Sequence, residues 1–295
     1  MAEAEVAELL KEVRRVQIVA SRLVNDLLAG EYLSAFKGRG MVFEEVRAYV
    51  PGDEIRSIDW NVTARTGEPY VKRFCEEREL TVLFAVDVSA SGLFGSQRRS
   101  KLQTAVQVAA VLMFSALRNN DKVGLVTFAN GVREYVPPRK GRGAVLRLIR
   151  DLLAAEPVRE PTDLASALEF VGHVQRRRAV VFVISDFQAP DCSRALRIAR
   201  QRHDVIAITL ADPREHALPD VGFVTLEDAE TGEVREVDAR HPRVRALFAH
   251  RAEQREARLA ETLRRSGVDR MDIRTDRPYA SSLQRFFRMR ERRYR

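Results

Sequence analysis

Short apolar segments alternate with helix-length segments from residue 80 to the end of the chain, and this alternation is the strongest constraint on the fold. Residues 81–86 and 179–184 are apolar without interruption, as in strands that are buried on both faces. The predicted strands cover residues 81–86, 122–128, 132–136, 179–184, 205–210 and 268–273. The predicted helices cover residues 100–118, 142–154, 163–175, 191–202, 242–265 and 279–292. This alternation predicts an α/β domain in which helices cover both faces of a mostly parallel sheet.

The first 75 residues have a different organisation and are predicted to form an N-terminal extension. Residues 4–29 carry apolar side chains at helical spacing, which predicts a helix packed on its own domain. Residues 37–75 combine short apolar runs with glycine and proline turn signals, which predicts short strands and ordered loops. The main domain is then expected to span residues 76–295, with a β-hairpin insertion at about 221–238 and arginine-rich helices at its end.

Arginines and aspartates lie close together in the extension, beside a tryptophan. They are Arg47, Arg56, Arg65, Asp53, Asp59 and Trp60. One interpretation is a set of structural ion pairs that close the extension onto the main domain. The other is a docking surface for a partner. The residue chemistry alone favours the structural interpretation.

The net charge of +8 is concentrated at the C-terminal end of the chain. Residues 240–295 contain 17 arginines, no lysine and 7 acidic residues. Acidic residues alternate with arginines at helical spacing over residues 253–261, which favours a solvated, ion-paired helix over a nucleic-acid-binding face. We expect Phe286 and Phe287 to pack on the sheet rather than stack on bases.

Cysteine content and apolar content indicate the cellular compartment. Cys75 and Cys192 are too few for a disulfide framework or a four-thiolate zinc site. No apolar run approaches the ~20 residues that cross a bilayer. The first residues include acids and lack the apolar core of a signal peptide. These features predict a cytoplasmic protein with no membrane span.

Side chains that carry oxygen follow two of the predicted strands and precede one predicted helix. In an open parallel sheet, ligands bind outside the carboxyl ends of the strands. If the strands at 81–86 and 179–184 are neighbours, the three loops converge at one edge of the sheet. The side chains that these loops present are Asp87, Ser89, Ser91, Thr162 and Asp186.

These five side chains offer carboxylate and hydroxyl oxygens, with no histidine and no cysteine among them. Mg²⁺ and Mn²⁺ prefer such hard ligands, and Mg²⁺ takes about six oxygens while retaining several waters. In the D-x-S-x-S pattern alternate side chains point the same way, so that three oxygens can face one ion. The sequence therefore predicts a Mg²⁺ or Mn²⁺ site with an open position that an acidic side chain of a protein partner can fill.

Each of the five residues also has an ordinary structural interpretation on its own. Asp87, Ser89 and Ser91 suit a helix cap or a turn. Asp186 suits a turn, and Thr162 suits the N-cap of its helix. Their joint occurrence in the appropriate loops is what favours the metal site.

The same residues carry a resemblance to a known fold. The sequence resembles the von Willebrand factor A fold with its metal-ion-dependent adhesion site in three features. These are the D-x-S-x-S strand end, the threonine of TDLASAL and the aspartate of VVFVISDF. The resemblance implies that Ser89, Ser91 and Thr162 bind the metal through their hydroxyls. It further implies that Asp87 and Asp186 act largely through water.

Further segments narrow this resemblance. The chain resembles the bacterial family called domain of unknown function 58 in the segments FKGRG, FEEVRAYVPGDEIRSIDWNVTART and EERELTVLFAVDVSAS. The tail PYASSLQRFFRMRERR is similar to that family as well. The resemblance extends over roughly residues 30–290, and GDEIRSIDW is its most specific part. It implies an accessory factor that works with an AAA+ ATPase of the MoxR type in the assembly or activation of other protein complexes.

Together these features predict a non-enzymatic, metal-dependent protein-interaction module. One alternative is a metal-dependent hydrolase or phosphatase that uses the same strand ends. A haloacid-dehalogenase-like D-x-D loop does not fit, because Ser89 stands at its second position, and neither a G-x-S-x-G elbow nor a P-loop is present. The five histidines show no metal-ligand spacing. A second alternative is nucleic-acid binding through the basic C-terminal segment, which we do not expect.

Overall fold

The fold was obtained as a computed structural model, which describes residues 3–25, 31–36, 41–76 and 79–294. The strands in these residues are β1 (Met41–Ala48), β2 (Tyr70–Glu76), β3 (Thr81–Asp87), β4 (Lys122–Phe128), β5 (Val132–Arg139), β6 (Val180–Ser185), β7 (Asp204–Ala211), β8 (Phe223–Glu227), β9 (Val234–Asp238) and β10 (Asp269–Arg274). The helices are α1 (Glu3–Leu23), α2 (Glu31–Phe36), α3 (Trp60–Thr66), α4 (Lys101–Arg118), α5 (Arg142–Leu153), α6 (Leu164–Val174), α7 (Ser193–Arg202), α8 (Pro213–His216), α9 (Pro242–Arg265) and α10 (Tyr279–Tyr294).

Six strands form the central sheet in the order β10-β7-β6-β3-β4-β5. Neighbouring strands are parallel, except that the edge strand β5 runs antiparallel to β4. This is a doubly wound arrangement, in which the strand order reverses between β3 and β6. The predicted mostly parallel α/β fold is confirmed. The carboxyl ends of β3 and β6 mark the crevice in which this architecture binds ligands.

Helices cover both faces of the sheet, as predicted. On one face, Val82, Phe84 and Val86 of β3 pack into a core with residues of α1, α4, α5 and α10. On the other face, Leu83 and Ala85 pack with residues of α6, α7 and α9. Because both faces are covered, β3 and β6 are buried almost throughout, which explains their uninterrupted apolar sequences.

The strand predicted at 132–136 is longer than expected and extends through two prolines. Pro137 and Pro138 are tolerated in β5 because it lies at the sheet edge, where a missing backbone donor disrupts no second ladder. Gly124 of β4 faces this segment, and a Cβ at Gly124 would come within 2.9 Å of the Pro138 ring. Glycine at this position therefore allows the edge strand to pair closely.

β8 and β9 form an antiparallel hairpin that is not part of the central sheet and lies within residues 221–238. Asp228 orders the tip of the hairpin, because its carboxylate accepts the N–H of Glu230 over 3.0 Å and the N–H of Thr231 over 2.9 Å. Gly232 adopts a φ of +72°, which completes the turn. The tip is therefore an ordered turn that holds Glu230 in a defined position.

Two aspartates of the GDEIRSIDW segment, Asp53 and Asp59, form ion pairs within the N-terminal extension. Arg47 donates two hydrogen bonds to the Asp53 carboxylate, over 2.9 and 2.7 Å. Asp59 caps α3 and lies 3.3 Å from the ammonium of Lys72. Both pairs join residues of the extension to one another, so these charged residues have structural partners within it. Trp60 is 66% exposed.

Aromatic packing joins the N-terminal extension to the C-terminal helix. The Phe36 ring of α2 lies edge-on to Phe287 of α10, with 6.0 Å between the ring centroids. The Arg290 guanidinium lies 5.0 Å from the Phe36 ring centroid and 2.6 Å from the Asp204 carboxylate. Phe286 and Phe287 are both buried in the core that contains the sheet residues, so their predicted packing is confirmed.

The N-terminal helix predicted from the apolar spacing is present in the described residues. The helix predicted at 4–29 corresponds to α1, and its predicted residues 26–29 lie outside the described residues. In the described ranges, no helix combines the length and apolar character that crossing a membrane requires.

Candidate metal site

The carboxyl ends of β3 and β6 lie side by side, because the two strands pair in parallel register as far as Val86 and Ile184. Asp87 is the last residue of β3 and Ser185 is the last residue of β6. The Ser185 hydroxyl donates a hydrogen bond to Asp87 Oδ2 over 2.6 Å. The first carboxylate of the predicted site is therefore fixed where the strand order reverses.

The loop after β3 folds back over its own aspartate. The Ser89 N–H donates to Asp87 Oδ1 over 2.9 Å. The Ser89 and Ser91 hydroxyl oxygens are 3.0 Å apart, and the Ser91 hydroxyl donates to Asp186 Oδ2 over 2.9 Å. The D-x-S-x-S alternation thus turns both seryl hydroxyls toward one side. Four of the five predicted residues form one connected group: Asp87, Ser89, Ser91 and Asp186.

Thr162 lies on the neighbouring loop. That loop is joined to the β3 loop by two backbone hydrogen bonds, from the Ala90 N–H to the Val158 carbonyl over 2.8 Å and from the Val158 N–H to the Val88 carbonyl over 3.2 Å. Within the described residues, no hydrogen bond joins Thr162 directly to the other four predicted residues. The loops converge as predicted, and Thr162 is the most peripheral member of the set.

The Thr162 hydroxyl does not cap α6. Asp163 is the N-cap, and its carboxylate accepts the Ser166 N–H over 3.0 Å. The Thr162 hydroxyl instead donates to Glu230 Oε1 over 2.8 Å, although Thr162 is only 3% exposed. The N-cap interpretation of Thr162 is therefore wrong, and the hydroxyl is directed at the hairpin tip.

A buried lysine belongs to the same group. Lys101 begins α4 and is 2% exposed, and its ammonium lies 2.6 Å from Asp186 Oδ2 and 2.6 Å from Glu215 Oε1 of α8. Burial lowers the pKa of Lys101, but the carboxylates of Asp186 and Glu215 outweigh burial and raise that pKa. The charged lysine thus holds both carboxylates in place. We call the following residues the strand-end cluster: Asp87, Ser89, Ser91, Lys101, Asp186 and Glu215.

No sequence signal identifies Lys101 or Glu215 as members of the cluster. Lysine in the first turn of a helix is usually exposed to solvent, so the type and position of Lys101 indicate nothing unusual. Glu215 belongs to the single-turn helix α8, which periodicity does not predict, and it lies 114 residues along the chain from Lys101. Glu215 reaches the site because the sheet topology brings the end of β7 beside the end of β6. Lys101 reaches it from the start of α4, the helix that follows β3 in the chain.

Asp87 carries the least compensated charge in the strand-end cluster. Burial and the charge of Asp186 raise the pKa of Asp87 to about 6, while the hydrogen bonds from Ser185 and Ser89 act in the opposite direction. The cluster contains the carboxylates of Asp87, Asp186 and Glu215 but only the one ammonium of Lys101. At neutral pH this excess of negative charge favours binding of a cation.

The donors of the cluster fit a hard divalent ion. They are carboxylate and hydroxyl oxygens at the end of a buried strand, which Mg²⁺ and Mn²⁺ prefer to sulfur or imidazole. In the part of the chain that the structure describes, no three His, Cys, Asp or Glu side chains are grouped for metal binding. An ion at this site therefore depends on the seryl and threonyl hydroxyls and on water.

Comparison with known proteins places the chain in a family. Residues 45–258 match the family described as protein of unknown function DUF58. The chain belongs to the DUF58 family. The matched region of this DUF58 protein contains all five predicted metal ligands, and it also contains Lys101, Glu215 and Glu230.

Relatives of this DUF58 protein match from two thirds of its length to nearly all of it. Uncharacterized protein Rv1480 of Mycobacterium tuberculosis is 35% identical over 288 residues, which cover 97% of this chain and 90% of the relative. Uncharacterized protein YeaD of Bacillus subtilis is 24% identical over 194 residues, which cover 66% of this chain and 46% of the relative. The resemblance of the sequence motifs to this family is confirmed by the match over residues 45–258.

Solved structures with a similar fold are distant in sequence. An aerotolerance-related membrane protein from Bacteroides fragilis is 17% identical with a TM-score of 0.49, over 72% of this chain and 99% of that protein. The SpRpn10 VWA domain is 13% identical with a TM-score of 0.39, over 69% of this chain and 93% of that domain. The von Willebrand factor A-like architecture itself is given by the strand order and by the helices on both faces of the sheet.

Proposed function

We propose that this DUF58 protein is a non-enzymatic, cytoplasmic protein-interaction module that depends on a divalent metal ion. Its family and its fold support an interaction or adaptor role. The observation that carries the metal dependence is the strand-end cluster, in which Ser91 links the Ser89 hydroxyl to the Asp186 carboxylate beside the incompletely neutralised Asp87. This arrangement lies in the crevice where the doubly wound sheet binds ligands.

Mg²⁺ or Mn²⁺ is the proposed ion. The hydroxyls of Ser89, Ser91 and Thr162 would hold it directly, and Asp87 and Asp186 would act through water. When bound, the ion supplies a positive centre with an open position, which takes an acidic side chain of a protein partner.

The other members of the cluster keep these ligands in position. The Ser185 hydroxyl and the Ser89 N–H fix the two oxygens of Asp87. The Lys101 ammonium donates to Asp186 Oδ2, the oxygen that also accepts from the Ser91 hydroxyl, and it shares its charge with Glu215. Because these contacts exist within the chain itself, the site is preorganised and loses little conformational entropy when an ion binds.

The hydrolase or phosphatase alternative has less support. The position two residues after Asp87 is Ser89, whose N–H is bonded to Asp87 and whose hydroxyl lies against Ser91. The hydrogen-bonded cluster contains no histidine that could serve as a general base. Turnover in a substrate screen that vanishes in Asp87→Ala would favour the enzyme instead.

Ion pairs along the C-terminal segment favour a solvated surface over a nucleic-acid-binding one. Glu261 accepts hydrogen bonds from Arg264 and Arg265. Arg270 pairs with Glu256, and a similar pairing joins Arg293 to Asp269. Arginines that are already paired with acids gain less from phosphate contacts, so we propose no nucleic-acid partner.

The proposed metal dependence is tested by heat denaturation during a titration with MgCl₂ or MnCl₂. We expect saturating ion to raise the Tm of the native chain by about 5 °C, because an ion bound only to the folded state stabilises it by mass action. Ser89→Ala is expected to lose most of this shift. Ser281→Ala, which removes an exposed hydroxyl that is not part of the cluster, is expected to retain it. Equal shifts in all three proteins, or no shift in the native chain, would contradict the proposal.

The proposed partner is an AAA+ ATPase of the MoxR type, on the basis of the family resemblance. We expect the tagged native chain to retain this ATPase from its own organism in Mg²⁺ and to release it in EDTA. Ser89→Ala is expected to retain little in either buffer, because the ion is required to bind the acidic side chain. Retention that is unchanged by EDTA and by Ser89→Ala would show that the metal site does not mediate the contact.

A further inference from the structure

The tip of the β8–β9 hairpin places a carboxylate at the edge of the candidate metal site. The Thr162 hydroxyl donates to Glu230 Oε1 over 2.8 Å, and the Thr162 N–H lies 3.4 Å from Glu230 Oε2. Both oxygens of one carboxylate are therefore directed at one buried residue of the predicted ligand set. Thr162 therefore already binds a carboxylate, the chemical group that a partner is proposed to supply.

The hairpin is built to present Glu230. The Asp228 carboxylate accepts the N–H groups of Glu230 and Thr231, and the Gly232 N–H donates to the Asp228 carbonyl over 2.8 Å. A second contact, 3.2 Å between Arg159 and Glu227, joins the hairpin to the loop that carries Thr162. The tip is thus attached to that loop at two points by polar contacts.

The rest of the hairpin is weakly attached. β8 and β9 pair with each other and not with the central sheet. Phe223 is 64% exposed and Val234 is 59% exposed, so neither contributes to the main cores. Displacement of the hairpin tip exposes little buried apolar surface and breaks mainly polar contacts. This displacement is therefore a local opening that costs little free energy.

We propose that Glu230 is the chain's own occupant of the carboxylate position, which a partner's acidic side chain must displace. This inference rests on the metal-dependent function proposed above. A tethered carboxylate competes at an effective concentration of roughly millimolar or more. The hairpin therefore sets a minimum affinity that a partner must have to displace Glu230. A single weakly bound acid does not displace it, whereas a partner that also contacts the surrounding surface does.

The inference is tested with Mn²⁺ itself as the probe, by measuring the relaxation of water protons per bound ion. Free Mn²⁺ is followed by its paramagnetic resonance signal, so that occupancy is matched between proteins. Glu230→Ala is expected to increase the relaxation rate per bound Mn²⁺ by about 1.5-fold, because one further position opens to water on an ion with about six positions. Glu236→Ala is the matched control, since Glu236 is an exposed residue of the same hairpin away from the tip.

The outcomes separate the two proposals. The inference is supported if the relaxation rate per bound Mn²⁺ is higher in Glu230→Ala than in the native chain, and if the native chain and Glu236→Ala have the same rate. If Mn²⁺ binds to all three proteins and the relaxation rate per bound ion is the same in each, the inference is overturned and the metal-dependent function stands. Mn²⁺ that binds to none of them overturns the function, and the inference falls with it.

Discussion

Asp87→Asn is expected to raise the free energy of unfolding of the metal-free protein by about 2 kcal/mol and to abolish its stabilisation by Mg²⁺. Burial and the charge of Asp186 raise the pKa of Asp87 to about 6. Because the pKa is higher in the folded chain than in the unfolded chain, folding favours the protonated form, and ionised Asp87 destabilises the fold above pH 6. Asparagine removes that charge and still accepts the Ser89 N–H, while its amide donates to the Ser185 hydroxyl.

The measurement is urea denaturation at pH 8, in EDTA and in saturating Mg²⁺. Asp121→Asn is a matched control, because burial also raises the pKa of Asp121 to about 6 at a position outside the strand-end cluster. Asp121 accepts hydrogen bonds from the Leu80 N–H and the Tyr32 hydroxyl. We expect Asp121→Asn to gain stability in both buffers and to keep its Mg²⁺ response. An Asp87→Asn protein that is less stable in EDTA, or that still responds to Mg²⁺, would contradict the proposed role of Asp87.

Arg290→Met is expected to lower the free energy of unfolding by about 3–5 kcal/mol, far more than any exposed arginine of the C-terminal segment. Arg290 is 0% exposed and lies 2.6 Å from the Asp204 carboxylate, which is itself buried at the start of β7. Its guanidinium also lies over the Phe36 and Phe286 rings, at 5.0 and 5.8 Å. Methionine preserves much of the volume but leaves a buried carboxylate without its main counter-charge.

Two comparisons show whether the lost charge pair is the cause. Arg293→Met removes an exposed arginine that pairs with Asp269, and we expect a change within about 0.5 kcal/mol. Adding Asp204→Asn to Arg290→Met removes the stranded charge and is expected to recover part of the loss. A loss below about 1 kcal/mol for Arg290→Met, or no recovery in the double variant, would show that this pair does not hold the C-terminal helix on the sheet.

The parts of the site that follow from local sequence and parallel topology could be predicted. Residues 81–86 and 179–184 are apolar because β3 and β6 are covered on both faces, and the oxygen-bearing residues follow them directly. Once the two strands are neighbours, Asp87 and Asp186 must lie at the same edge. The period of two in D-x-S-x-S then accounts for the contact between the Ser89 and Ser91 hydroxyls.

The parts that depend on contacts between distant segments could not be predicted. Lys101 is buried because it meets Asp186 and Glu215, which lie 85 and 114 residues further along the chain. Glu230 meets Thr162 across 68 residues, through a hairpin whose sequence indicates its strands but not where its tip lies.

The N-cap of α6 could not be predicted for a local reason. Asp163 rather than Thr162 caps α6, and two adjacent residues that can both form a cap give no reason to prefer either one.

The most direct test of the central claim is the anomalous scattering of crystals grown with MnCl₂. The account predicts one strong peak within coordination distance of the Ser89 and Ser91 hydroxyls, with Asp87 and Asp186 behind it, and its loss in crystals of Ser89→Ala. A density map with no manganese peak there, or with the ion bound elsewhere while the Lys101 ammonium remains the only cation beside Asp186, would contradict it.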